Sequence, residues 1–150
     1  MAKTKTAKFR SKNEVLYEGR NTDASIRDTS LKEACRETKG SGRYLEKVIA
    51  KLKSTVSPYK IVLFGSYAKG NAKPDSDIDL MVILDTDYLP KDYDDMMRIH
   101  TGVRDIIRYD RYKYDMDLKV FARAEYKKLK DRDSFFVWEV EHTGETIYEK

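Results

Sequence analysis

Asp77-Ile78-Asp79 puts two carboxylates one residue apart at the mouth of the apolar run Leu80-Met81-Val82-Ile83-Leu84. On a strand, residues i and i+2 face the same way about 6.6 Å apart along the chain. Asp77 and Asp79 would then project together, with Ile78 and Leu80 on the other face. Two aligned carboxylates repel unless a cation stands between them or one keeps its proton. Hard divalent cations are the natural partner, since Mg²⁺ takes oxygen ligands and shares them with substrate phosphates. A pair of acids at a solvated strand end looks the same, so the two residues decide little alone.

Gly65-Ser66 stands ten residues ahead of that pair. Glycine lets a backbone approach closely, and serine offers a hydroxyl and an N–H to an anion. If residues 66–69 open a helical turn, its first amides add a favourable field for phosphate. Lys69, one turn on, is a point charge for the same group. Further along, Tyr114-Asp115-Met116-Asp117-Leu118-Lys119-Val120-Phe121 repeats the two-acid device. A third carboxylate, from Asp117 or Asp115, turns a strand end into a candidate cation site. Such a set suits phosphoryl transfer by two metal ions about 3.5–4 Å apart.

Convergence of these segments requires a particular frame. Leu45, Val48, Ile49 and Leu52 share one helical face over residues 43–54, with Ser41 as the cap between Gly40 and Gly42. After Pro58, the run Tyr59–Phe64 reads as a buried strand, and Asp77–Leu84 as a second. Leu89-Pro90 opens a helix to about residue 108, with Met96, Met97, Val103, Ile106 and Ile107 as its buried side. Tyr114–Phe121 is a third strand, followed by a short helix over residues 124–130. Phe135, Val137, Trp138 and Glu141 suggest a last helix, with Phe135, Phe136 and Trp138 in the core and Gly144 as the C′ residue that stops it. Ile147-Tyr148 adds a short edge strand.

Strands one and two are joined by about twelve residues, which suits an antiparallel pair. Strands two and three are separated by roughly thirty residues with a helix, the length of a parallel crossover. The expected fold is α/β (α+β), a small mixed sheet flanked by helices. It brings the end of strand one and the starts of strands two and three to one edge.

The 150 residues amount to one domain able to bury a core. No apolar run nears the ~20 residues of a membrane span, and the N-terminus lacks the apolar stretch of a secretory signal. The one cysteine, Cys35, excludes an internal disulfide and a cysteine-based zinc site, which suits a cytoplasmic location. The net charge of +4 invites a nucleic-acid reading. Five Lys or Arg and no acid lie within residues 1–12, and taking those from the 30 basic residues leaves 25 against 26 acidic ones. The excess thus belongs to a basic tail, read as a solubilising end that could also touch phosphates. Residues 1–40 form that tail and a polar segment with a weak helix over 30–39; residues 41–150 form the domain.

Other features read as structural. His100 has no second ligand at metal spacing, and His142 complements a helix end. Asp92, Asp94 and Asp95 sit where a helix start favours acids. Tyr109, Tyr112 and Tyr114 in Arg108-Tyr109-Asp110-Arg111-Tyr112-Lys113-Tyr114 read as a half-buried loop and strand entry rather than a base-stacking clamp.

The stretch GSYAKGNAKPDSDIDL resembles the signature of the DNA polymerase β-like nucleotidyltransferase superfamily, a Gly-Ser pair, ten residues, then Asp-x-Asp. It looks most like the minimal nucleotidyltransferases, through Gly65, Ser66, Ala68, Gly70, Ser76, Asp77, Ile78, Asp79 and Leu80, with Asp117 in DMDLKVF and the closing TGETIYE. The resemblance implies transfer of a nucleoside monophosphate, with Mg²⁺ (two ions) and a nucleoside triphosphate, ATP first among them. It implies Asp77, Asp79 and Asp117 as catalytic metal ligands, Asp117 being preferred over Asp115 on the family's register. Gly65, Ser66 and Lys69 would bind the nucleotide, although Lys69 stands where the family usually has Arg and lacks its bidentate fork. Many such enzymes pair with a HEPN-type toxin in toxin–antitoxin couples and adenylylate it, so a protein partner leads. A non-catalytic antitoxin, or transfer to nucleic acid or to a small molecule such as an aminoglycoside, are the rival readings. No membrane role is implied.

Overall fold

The computed structural model describes residues 41–108 and 114–150. The basic tail, the expected helix over 30–39, Cys35, Tyr109 and Tyr112 lie outside them. The described chain runs α1 (Ser41–Thr55), β1 (Pro58–Phe64), α2 (Gly65–Ala68), β2 (Ile78–Leu84), α3 (Tyr93–Ile107), β3 (Met116–Ala122), α4 (Arg123–Asp131), α5 (Phe135–Thr143) and β4 (Glu145–Glu149). The four strands form one sheet in the order β3-β2-β1-β4. β1 pairs antiparallel with β2 and with β4, whereas β2 and β3 are parallel. The fold is α/β with a mixed sheet, as the connection lengths predict.

One face of the sheet carries Ile61, Leu63, Ile78, Leu80, Val82, Leu84, Leu118 and Val120, packed under α1 and α3. Leu45, Val48, Ile49 and Leu52 of α1 are essentially inaccessible there, and each such side chain contributes about 1.5–3 kcal/mol of transfer free energy. The opposite face holds Val62, Met81 and Ile83 against Tyr126 of α4 and Val137 and Val140 of α5. β2 is covered on both faces, which is why its sequence is a continuous apolar run rather than an alternating one.

Several details differ from the sequence expectation. α1 already includes Ser41 and Gly42, with Ser41 fully buried, so its serine is part of the first turn rather than a preceding cap. α3 starts at Tyr93, after the Asp92 side chain accepts a hydrogen bond from the Asp95 N–H as its N-cap. Its buried stripe is Ile99, Val103 and Ile107, at the four-residue spacing of one helix face, while Met97 is exposed and Met96 and Ile106 are partly buried. Gly144 is extended (φ −84°, ψ 166°) rather than left-handed, and it is small for another reason. A Cβ there would meet the Val140 carbonyl at 2.4 Å and the Val62 side chain at 2.8 Å.

The largest correction concerns α5. Phe135 is 72% exposed and Trp138 53% exposed, so neither is core. The helix is apolar almost all round, and hydrophobic type alone could not say which stripe meets the sheet. Val137 and Val140 do, with Phe136 wedged between Phe64 and Phe121 at ring-centroid distances of 5.7 and 6.3 Å. Phe135, Trp138 and His142 stack along the outer side, at 6.1 Å and 4.4 Å between successive rings. α4 and α5 are tied together where Glu141 accepts hydrogen bonds from the Tyr126 hydroxyl and the Lys130 ammonium.

His100 and Tyr114 have the structural places read from the sequence. His100 donates a ring N–H to the Leu118 carbonyl at 2.6 Å, joining α3 to β3. Tyr114 is half buried against Tyr44, with ring centroids 5.1 Å apart.

Candidate functional site

Strand register builds the site. Phe64, the last residue of β1, is the Cα partner of Asp79, and Asp79 is the Cα partner of Asp117 on β3. Asp77 directly precedes β2, where the Ile78 N–H donates to the Asp115 carbonyl at 2.9 Å. Three chain segments thus meet at one edge of the sheet, on the face covered by α4 and α5. Asp115 lies just before β3, and Asp117 within it is the acid in register with Asp79.

Gly65 closes the gap between the turn and the acid pair. Its φ is +70°, and a Cβ placed on it would fall 2.0 Å from the Asp79 Oδ2. The backbone of the turn therefore lies directly against the Asp79 carboxylate, an approach that no other residue type permits. Ser66 and Tyr67 continue into α2, a single turn. It ends in a Schellman arrangement, with left-handed Gly70 donating to the Tyr67 carbonyl and Asn71 donating to the Ser66 carbonyl. A second turn over Lys73-Pro74-Asp75-Ser76, in which the Ser76 Oγ accepts from the Lys73 N–H at 2.8 Å, returns the chain to β2.

Charge at this edge is crowded. Burial, then the nearby carboxylates of Asp117 and Asp77, push the Asp79 pKa above its ordinary 3.8, and Lys119 partly offsets this. An oxygen-only set with one half-buried acid and two neighbours fits a hard divalent cation. The side chains do not form a ready cage: among the described residues, no three His, Cys, Asp or Glu groups are gathered as a metal-holding cluster. Asp117 is instead turned to the Lys119 ammonium, 3.1 Å from both of its oxygens. Lys69 is exposed at the end of α2, 3.8 Å from Glu139 of α5.

Gly65, Ser66, Asp77, Asp79 and Asp117 thus lie on the three segments that meet at this edge, with Lys69 at its margin. Lys119 and Glu139, the partners of Asp117 and Lys69, were not anticipated. The i+2 spacing of Asp117 and Lys119 on a strand was the signal for the first. Nothing in sequence distance links Lys69 to Glu139.

Among the described residues no helix is long and apolar enough to cross a membrane. A comparison with curated protein sequences found no match. Among solved structures, the chain is similar to a Sulfolobus solfataricus protein provisionally described as a nucleotidyltransferase, at 18% identity over 89% of this chain and 94% of that one, with a TM-score of 0.51. It is also similar to a chain of a toxin–antitoxin crystallised with AMP-PNP, at 21% identity over 70% of this chain and 73% of that one, with a TM-score of 0.44. At these identities the first likeness speaks for the fold. The family described as "Polymerase beta, Nucleotidyltransferase" matches residues 46–150, from α1 to the last strand. The chain therefore belongs to the polymerase β nucleotidyltransferase family.

Proposed function

We propose that this nucleotidyltransferase transfers AMP from ATP, with Mg²⁺, to a hydroxyl of a partner protein of the HEPN-toxin type. One observation carries the catalytic part. Asp79 stands in register with Asp117, follows Asp77, and has the Gly65 turn closed against its carboxylate. The choice of a protein acceptor rests on the resemblance of GSYAKGNAKPDSDIDL to the minimal nucleotidyltransferases.

In this reading Asp77, Asp79 and Asp117 hold the divalent cations, which when bound lower the pKa of the acceptor hydroxyl and steady the leaving pyrophosphate. Ser66 and the first amides of α2 hold the terminal phosphates, and Gly65 keeps that turn against the acid pair. Lys69 exchanges Glu139 for a phosphate oxygen. A bond forms from the acceptor oxygen to the α-phosphorus while the bond to the β-bridging oxygen breaks. The acceptor proton passes to a carboxylate of the site.

Incubation with each labelled nucleoside triphosphate, Mg²⁺ and a cell lysate reads both donor and acceptor. The expected result is label from ATP on a protein band. Asp77→Asn/Asp79→Asn and Asp117→Asn should fall to background while circular dichroism stays unchanged. Undiminished transfer by the folded double variant would refute the carboxylate assignment, and label on RNA or on a small molecule would refute the protein acceptor.

A further inference from the structure

Lys119 lies two residues beyond Asp117 on β3 and therefore on the same face of the sheet. Its Nζ is 3.1 Å from Oδ1 and 3.1 Å from Oδ2 of Asp117, so one ammonium caps the whole carboxylate. β3 is an edge strand, and both side chains of this pair are roughly half exposed. The other lysine at the site, Lys69, is engaged by Glu139 from a different element. Lys119 is thus a cation standing on Asp117 and close enough to Asp79 to offset its crowding.

Three carboxylates at one edge repel when nothing positive lies among them. A lysine ammonium relieves that repulsion with three donors on a flexible stem, and it can leave by rotating its own side chain. A small divalent cation needs oxygen ligands at about 2.0–2.1 Å in near-octahedral geometry. A divalent cation at the Asp117 oxygens would stand beside the Lys119 ammonium, so the two positive charges compete for one carboxylate.

We propose that Lys119 is a positioning residue that acts as a tethered counter-cation, occupying Asp117 in the metal-free protein and giving it up when a divalent cation enters. It offsets the repulsion among the acids and sets a threshold for metal loading. The inference rests on the divalent-cation reading of the site given above.

Mn²⁺ binding to the full chain without nucleotide, followed by the electron paramagnetic resonance of the free ion, tests it. Lys119→Met keeps the apolar stem but removes the competitor, and should bind Mn²⁺ roughly three- to tenfold more tightly. Lys119→Arg keeps the charge and should bind like the unsubstituted chain. The Mn²⁺ dependence of thermal unfolding adds a readout that a purely structural role would not move. In EDTA, Lys119→Met should melt below the unsubstituted chain, and saturating Mn²⁺ should close that gap. Unchanged or weaker Mn²⁺ binding by Lys119→Met, or a melting gap indifferent to Mn²⁺, would overturn the proposal and leave the cation site standing. No Mn²⁺ binding by the unsubstituted chain would overturn both.

Discussion

Gly65→Ala should destabilise the protein through two separable effects. Gly65 has φ +70°, and forcing a residue with a Cβ into that left-handed region costs about 1–2 kcal/mol. The new methyl group would also fall 2.0 Å from Oδ2 and 2.9 Å from Cγ of Asp79. The carboxylate must turn aside, and an off-rotamer side chain costs about 0.5–1.5 kcal/mol more. The two together predict a loss of about 1.5–3.5 kcal/mol, read as a lower urea midpoint at unchanged m. In an Asp79→Ala background only the Cβ of residue 79 remains near, at 3.3 Å, so the second effect vanishes and the first stays. The double-mutant cycle should therefore show coupling of about 1 kcal/mol, since residues in contact do not add. Additivity within about 0.3 kcal/mol, or a neutral Gly65→Ala, would refute the contact between the turn and the acid pair.

Burial, with Asp117 and Asp77 alongside, holds the Asp79 pKa above 3.8, so the folded state binds this proton more tightly than the unfolded chain. The resulting cost is present above the folded pKa and fades as pH falls through it towards 3.8. Asp79→Asn should thus be more stable than the unsubstituted chain at pH 7 in EDTA, by an amount that shrinks on acidification; an increment that grows instead would show the sign to be wrong. Gly144→Ala drives a methyl group against the Val140 and Leu63 carbonyls at 2.4 and 3.0 Å, and should cost about 1–3 kcal/mol in chemical denaturation. Phe136→Ala removes the ring wedged between Phe64 and Phe121 and should cost about 2–3 kcal/mol, whereas Phe135→Ser and Trp138→Ser on the outer side should stay within about 0.5 kcal/mol. Equal losses at positions 135 and 136 would contradict the orientation of α5.

The elements were legible because their signals are local. The four-residue spacing of Leu45, Val48, Ile49 and Leu52 requires only that one helix have one wet side. Connection length separated the antiparallel β1–β2 pair from the parallel β2–β3 pair, because about twelve residues reverse a chain easily and a crossover needs more. Orientation was legible only where apolar residues were scarce. On α5, with Phe135, Phe136, Val137, Trp138 and Val140 in nine residues, every side qualifies as a core face. The packing surface then chose Val137 and Val140, with Phe136 beside them. On α3 the methionines looked like core, but the buried stripe is the one from Ile99 through Val103 to Ile107.

At the site, residue chemistry and spacing determined what the sequence could determine: carboxylates two apart on a strand, a Gly-Ser turn ten residues earlier, and a third acid on a later strand. These are properties of short segments and of a residue's donor atoms, and they do not depend on the rest of the chain. Tertiary structure decided which atoms meet. The pairing of Asp79 with Asp117 is set by strand register, which hydrophobic contacts along the whole of β2 and β3 select. The intolerance of Gly65 to any side chain follows from a carboxylate fourteen residues away in the chain. The hold of Glu139 on Lys69 depends on where α5 crosses the sheet. Contacts between distant segments are consequences of how the core packs, and only the folded chain contains that information.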